Sequence, residues 1–184
     1  MSVRILYFVH GTTTDNLEHI ATGWNPGILS DKGIAQSIEL KNRIDFDKID
    51  LVITSDLKRA VDSASYTYNK EKKILCDMRI RECNYGVYNG KDASNVKYEE
   101  HISVPFENGE ALVDVEKRLR DFCKYLLQNF DEKIVALVSH KAPQLALDVI
   151  TKGISWEEAI SKDWRKTKSW KPGWEYNIDK SMFE

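Results

Sequence analysis

Three short apolar runs decide what this chain can fold into. They are Ile5-Leu6-Tyr7-Phe8-Val9, Leu51-Val52-Ile53-Thr54 and Ile134-Val135-Ala136-Leu137-Val138. Each is rich in β-branched or aromatic residues and has no charged position inside it. A half-exposed strand would alternate polar and apolar side chains, so these read as strands buried on both faces of a sheet. Between them lie helix signals. Ser30 is a plausible N-cap for a helix that runs to about Arg43. A second helix follows Leu57 and ends near Tyr68. A third runs from about Ala111 to Asn129, and a fourth follows Ser139-His140 to Ile150. Lys73-Ile74-Leu75 reads as a short strand. The stretch from Glu82 to Val104 is polar and reads as a loop or irregular lid. Strands alternating with helices predict an α/β protein, specifically a three-layer α/β/α sandwich.

Size and charge narrow the class. The chain has 184 residues, which suits a single domain over residues 1–184. A chain of this length buries roughly 70% of its unfolded surface, so its core needs no disulfide or metal. With 27 Lys and Arg against 29 Asp and Glu, the net charge is −2. That balance argues against a general binder of nucleic acid or of membrane surfaces, and Lys70-Glu71-Lys72-Lys73 reads as a solvated loop. Cys76, Cys83 and Cys123 form no CxxC pair and are expected to be buried free thiols. No apolar stretch reaches 18 residues, and the apolar start is too short for a signal peptide, so a cytoplasmic location is expected. Four of the five tryptophans, Trp156, Trp164, Trp170 and Trp174, fall in the last part of the chain. They are expected to cover a sheet edge or the end of a core, with a partner interface as the alternative. Oligomeric state is not legible.

The chemistry sits where the three runs end. The first ends at His10-Gly11, the second at Ser55 with Arg59 one helical turn later, and the third at Ser139-His140. In α/β sheets the ligand crevice lies outside the carboxyl ends of the strands, so these residues are expected to meet there. An arginine offers a planar, permanently charged fork that matches a phosphoryl group. A helix N-terminus near Ser55 adds backbone donors, and a histidine can act as a covalent nucleophile. A lone histidine after a strand is more often structural; two at the ends of buried strands point to an oxyanion or phosphate site.

Six blocks, in order, resemble the histidine phosphatase superfamily, the phosphoglycerate-mutase-like phosphatases. Val9-His10-Gly11-Thr12-Thr13-Thr14-Asp15-Asn16 resembles the family's Arg-His-Gly-Glu-Thr-x-x-Asn. Gly23-Trp24 through Gln36 resembles its Gly-Trp…Leu-Thr-x-x-Gly-x-x-Gln segment. Thr54-Ser55-Asp56-Leu57-Lys58-Arg59-Ala60 resembles Ser-x-Leu-x-Arg-Ala, and Ile80-Arg81-Glu82 with Gly86 resembles Leu-x-Glu…Gly. Gly109-Glu110 resembles Gly-Glu-Ser, and Val138-Ser139-His140 resembles Val-Ser-His-Gly. The resemblance covers roughly residues 3 to 150 and implies a mostly parallel central sheet. It implies a phosphatase acting on a small phosphomonoester through a phosphohistidine on His10. Glu82 is then the general acid and base, and Arg59 and His140 hold the phosphoryl oxygens. Asn16 is implied as a further phosphate contact, and Gly11, Thr13 and Gly23 as residues bordering the substrate. No metal and no organic cofactor is expected, although His10, His140 and Glu82 are also residue types that bind metal.

The sequence departs from the pattern at two informative places. Val9 stands where the family has Arg. Losing one charge-assisted contact to a transition state costs on the order of 2–4 kcal/mol, or roughly 30- to 1,000-fold in rate. Lys141 stands where the family has Gly, and it is expected to supply the missing positive charge; a solvated lysine is the plain alternative. Thr12, Pro26, Ile28 and the pair Tyr88-Asn89 also differ and bear on substrate choice. Family mutases are longer, so chain length favours a phosphatase over a phosphoglycerate mutase. A catalytically weakened module that binds a phosphorylated ligand is the third reading, motivated by Val9.

Overall fold

A computed structural model describes residues 1–68, 72–167 and 173–183. In chain order its elements are β1 (Ser2–Val9), α1 (Thr14–Leu17), β2 (Ile20–Ala21), α2 (Asp31–Lys41), β3 (Leu51–Thr54), α3 (Lys58–Tyr68) and β4 (Ile74–Cys76). They continue with β5 (Lys91–Asp92), α4 (Leu112–Asn129), β6 (Ile134–Ser139), α5 (Lys141–Lys152), α6 (Trp156–Ser161), α7 (Trp164–Thr167) and β7 (Trp174–Asp179). Five strands form one sheet in the order β4-β3-β6-β1-β7. The first four run parallel, and β7 pairs antiparallel with β1. The expected mostly parallel α/β/α sandwich is the fold of the chain.

The apolar runs are continuous because both sheet faces are covered. On one face Val52, Ala136 and Val138 pack against Ala60, Ala64 and Tyr68 of α3. On the other face Ile5, Tyr7, Ile53, Val135 and Leu137 meet Leu119, Phe122, Leu126, Leu145 and Ala146 of α4 and α5. Neighbouring residues within a strand thus belong to opposite layers, as the two-residue period of a strand requires. Ser30 caps α2 as expected, its hydroxyl accepting from the Gly33 N–H at 3.2 Å.

Two sequence expectations need correction. Cys83 and Cys123 are buried, but Cys76 is exposed, because β4 is an edge strand whose outer positions face solvent. The stretch from Glu82 to Val104 is irregular, as expected, yet it holds a short strand: β5 pairs with β2. The tryptophan-rich segment does close a sheet edge. Trp174 opens β7 opposite Tyr7, with the two rings 6.2 Å apart and edge to face. Trp170, Lys70 and Glu71 lie outside the described residues.

Candidate active site

β1, β3 and β6 lie side by side and end on the same edge of the sheet, so the residues after them meet. A cavity of about 550 Å³ opens there, with His10, Arg59, Glu82 and Asn16 in its lining. His140 is fully buried beside it, its ring centroid 5.1 Å from that of His10.

The hydrogen bonds of His10 define its tautomer. Its Nδ1 is 2.8 Å from the Gly11 carbonyl oxygen, which can only accept, so Nδ1 carries the proton. Its Nε2 lies 3.2 Å from the Nε of Arg59, which can only donate, so Nε2 presents its lone pair. Burial, and then the Arg59 charge, lower the His10 pKa to about 3. The ring is therefore neutral at any ordinary pH.

Arg59 is one of the largest buried side chains. Its Nη1 donates to the Asn25 carbonyl at 2.8 Å, and its Nη2 to that of Gly23 at 2.8 Å. Gly23 has φ +53°, and its missing side chain leaves room for Asn89. The guanidinium is thus largely committed to the protein, with few N–H groups left for a ligand.

His140 is fixed from two sides. The Tyr7 hydroxyl donates to its carbonyl at 2.6 Å and accepts from its N–H at 3.1 Å. Its Nε2 is 2.6 Å from the Ser55 Oγ, which itself accepts from the Leu57 N–H at 3.3 Å. With the Ser55 proton donated to Nε2, the imidazole proton sits on Nδ1, a buried atom with no partner among the described residues. Burial, then the Arg59 charge, pushes the His140 pKa well below its ordinary value.

The Glu82 carboxylate is buried at the start of α5. Oε1 accepts from the N–H of Cys83 at 2.9 Å and of Ala142 at 3.0 Å; Oε2 accepts from that of Lys141 at 3.2 Å. Helix N-termini offer such donors because their first N–H groups have no helical acceptor.

Sequence reasoning missed the clamp that holds Glu82. Arg118 on α4 donates to the carbonyls of Arg79 (2.7 Å), Arg81 (2.7 Å) and Glu82 (2.9 Å), and pairs with Glu110 at 2.9 Å. The Trp24 indole N–H adds a bond to the Glu82 carbonyl at 2.7 Å. An arginine one helix away leaves no local sequence signal; Glu110, within a matched block, was the nearest one.

The remaining expected residues divide. Asn16 lines the cavity, with Oδ1 accepting from the Thr13 N–H at 3.0 Å, which leaves its NH₂ free of that bond. Thr13 is fully buried and is not in the lining; its hydroxyl caps α1 by accepting from the Asn16 N–H at 3.0 Å. Gly11 lines the cavity, but its N–H is bonded to the Ser63 Oγ at 2.9 Å. Lys141 lines it too. Its Nζ is not simply solvated: it lies 3.2 Å from the Asp163 Oδ2 and 4.4 Å from the Tyr98 ring centroid. Asp163 also holds Arg165, whose Nη1 donates to its Oδ1 at 2.8 Å. Neither Asp163 nor Arg165 was expected from the sequence, where both are hidden among the tryptophans. No cluster of three or more metal-ligating side chains occurs among the described residues, and no helix among them is long and apolar enough to cross a membrane.

The chain is similar to known proteins. The chain is 26% identical over 181 residues to a 2,3-bisphosphoglycerate-dependent phosphoglycerate mutase of Bartonella tribocorum, covering 89% of this chain and 88% of the mutase. It is 27% identical over 168 residues to phosphoserine phosphatase 1 of Hydrogenobacter thermophilus, covering 80% and 78%. A solved structure of mycobacterial hydrolase 1 superposes with a TM-score of 0.78 at 23% identity, covering 88% and 85%. The mutase match corrects one expectation. The chain covers 88% of that mutase, so little of it lies outside the match and chain length does not by itself separate phosphatase from mutase. The model of the histidine phosphatase superfamily (branch 1) matches residues 6–174, and the chain belongs to that family.

Proposed function

We propose that the chain, acting as one domain over residues 1–184, is a metal-independent phosphatase for a small phosphomonoester, and a variant with Val9 in place of the family's arginine. The observation that carries this reading is the His10 ring in the cavity lining: its proton is held on Nδ1 by Gly11, and its unprotonated Nε2 accepts a 3.2 Å bond from Arg59 that an arriving phosphoryl group displaces.

The Nε2 lone pair attacks phosphorus, the P–O ester bond breaks, and the leaving oxygen takes a proton from the Glu82 carboxyl. A water then attacks the phosphohistidine, gives its proton to the Glu82 carboxylate, and inorganic phosphate leaves as the P–N bond breaks. The Nδ1–H of His140, the Asn16 amide and the remaining Arg59 N–H receive the phosphoryl oxygens, where charge accumulates. Gly11 and Gly23 keep the backbone close beneath the group, and Thr13 acts through Asn16.

Cavity size supports hydrolysis. At about 550 Å³ the cavity falls within the range of pockets that take drug-sized ligands. A three-carbon phosphate leaves much of that space to water, which competes with any acceptor alcohol for the phosphohistidine. The mutase reading keeps support from the Bartonella relative.

The test is hydrolysis of p-nitrophenyl phosphate from pH 4 to 8 without added metal, with trapping of acid-labile phosphoenzyme. Activity and trapped phosphate that vanish in His10→Ala, with turnover lost in Glu82→Ala, are expected. Activity surviving in His10→Ala overturns the phosphohistidine. Interconversion of 2- and 3-phosphoglycerate primed by 2,3-bisphosphoglycerate, faster than hydrolysis, makes the chain a mutase. No turnover on a panel of natural phosphate esters makes it a binding module.

A further inference from the structure

The site as described is short of positive charge. A phosphomonoester arrives as a dianion at ordinary pH. His10 is neutral and burial keeps His140 neutral, so Arg59 is the cation that touches the attacking ring. Arg59 also spends most of its donors on the carbonyls of Asn25 and Gly23 and on His10 itself. A second cation with donors to spare is needed, and Val9 does not provide it.

Arg165 fits that need. It lines the same cavity as His10 and Val9. The fold delivers it there: Trp174 opens β7 opposite Tyr7, near the end of β1, and Trp164 of α7 packs on Trp174 with ring centroids 6.4 Å apart. The guanidinium is placed by several contacts. Its Nη1 and its backbone N–H donate to the Asp163 Oδ1 at 2.8 and 3.1 Å, and its Cζ lies 4.8 Å from the Trp164 ring centroid. Its Nη2 is buried and has no acceptor among the described residues. A buried donor without an acceptor is costly, and such sites are commonly completed by a ligand. The Arg165 charge also reaches His10, as one of the groups that lower its pKa. Lys141 is held by the same Asp163, so two cations face one fully buried carboxylate and the trio keeps a net positive charge toward the cavity. Lys141 is a point charge, whereas Arg165 offers the fork that a phosphoryl group takes.

We propose that Arg165, positioned by Asp163 and the Trp164 and Trp174 indoles, is the second guanidinium that grips the phosphoryl group, so that the C-terminal segment supplies what position 9 lacks. This rests on the phosphohistidine reading for its role in turnover, but not for its role in binding the anion.

The experiment uses the full chain and two readouts. One is kcat/KM on p-nitrophenyl phosphate, whose only anionic group is the phosphate; the other is orthovanadate affinity, measured by tryptophan fluorescence and calorimetry. Circular dichroism confirms folding. Arg165→Gln is expected to lower kcat/KM by about 10²–10³-fold, the loss seen on removing one preorganised donor, and to weaken vanadate binding at least about tenfold. Arg165→Lys keeps the charge but not the fork and recovers part of both. Val9→Arg in the Arg165→Gln background restores activity toward the parent. Unchanged kcat/KM and vanadate affinity in Arg165→Gln overturn the proposal. So does a loss confined to esters that carry a carboxylate, which would place Arg165 on a remote group. If the parent itself turns nothing over, the phosphatase reading fails while vanadate binding still decides the role of Arg165.

Discussion

The Nε of Arg59 lies 3.2 Å from the Nε2 of His10. This bond orients the imidazole and keeps its Nε2 unprotonated, and the guanidinium charge opposes protonation of the ring. Burial is the larger cause of the lowered His10 pKa, and Arg59 is the second. Arg59→Gln is therefore expected to raise the His10 pKa from about 3 part of the way toward its unperturbed ~6.5, read by nitrogen NMR of the ring. It also leaves the Gly23 and Asn25 carbonyls short of a donor, costing about 1–3 kcal/mol for each one left unsatisfied. A fall in stability with no change in His10 titration would mean that burial alone sets the pKa.

Stability should depend on pH through the two histidines. In the unfolded chain each titrates near its ordinary value; in the fold both pKa values are lowered. A base whose folded pKa is depressed binds more protons unfolded, so stability is full above pH ~6.5 and falls as pH drops below it. Each fully neutral histidine contributes a slope of up to about 1.4 kcal/mol per pH unit. The interval from pH 6.5 to 5 isolates them, because carboxylates with lowered pKa, such as Asp50 and Asp56, lose their contribution only nearer pH ~4. Urea unfolding at pH 7, 6 and 5 is expected to show this slope in the parent and a shallower one in His140→Gln. The same low pKa removes His10 as the source of any acid limb in kcat/KM between pH 4 and 8.

Arg118 is expected to act through Glu82. All five of its donors are engaged, on the carbonyls of Arg79, Arg81 and Glu82 and on the Glu110 carboxylate. Arg118→Ala frees the loop that carries Glu82, and a displacement near 1 Å costs on the order of 10²-fold. The loss should fall on kcat with KM little changed, since in the proposed reaction Glu82 moves a proton. It should be accompanied by a shifted limb in the pH profile and partly recovered in Arg118→Lys. A proportionate fall in kcat with an unmoved pH profile would leave Arg118 a purely structural role.

The strands and helices of the sandwich were legible because each obeys a local rule. Leu51–Thr54 is unbroken and apolar, Ser30 is a capping residue, and helix α4 carries apolar positions at helical spacing. The meeting of His10, Arg59 and His140 followed from where parallel strands end, whereas Glu82 was expected only because Ile80-Arg81-Glu82 resembles a block of the family. What escaped were partnerships with no local signature. The antiparallel strand Trp174–Asp179 also escaped, although it carries a signal: Trp174, Tyr176 and Ile178 are buried and alternate with exposed Glu175 and Asn177, the pattern of a half-exposed strand. Lys141 was expected to supply the missing positive charge, and nothing local shows that it shares Asp163 with Arg165. Arg118 reaches Glu82 from a helix thirty-odd positions later, a distance that only tertiary packing sets.

Gly11 and Gly33 should be intolerant of a methyl group for a reason unrelated to turn geometry. A Cβ on Gly11 would collide with the Gly33 carbonyl oxygen and lie 2.9 Å from its Cα, and a Cβ on Gly33 would meet the Thr12 backbone. Neither glycine has a positive φ, so the constraint is the close approach of the loop after β1 to the start of α2. That approach is fixed by the Ser30 N–H and hydroxyl, which donate to the Thr12 carbonyl at 2.9 and 2.8 Å. Gly11→Ala is expected to cost about 1–3 kcal/mol, the range for overpacking. It should also cut kcat/KM, because His10 is the preceding residue and its Nδ1–H depends on the Gly11 carbonyl. Gly153 provides the contrast. It has φ +64° at the end of α5, with nothing near its missing Cβ. Gly153→Ala should therefore cost only about 1 kcal/mol of left-handed strain and leave kcat/KM unchanged. Urea midpoints and p-nitrophenyl phosphate kinetics on both variants check this. Equal effects on activity would mean that the two backbones do not need their close contact to hold His10 in place.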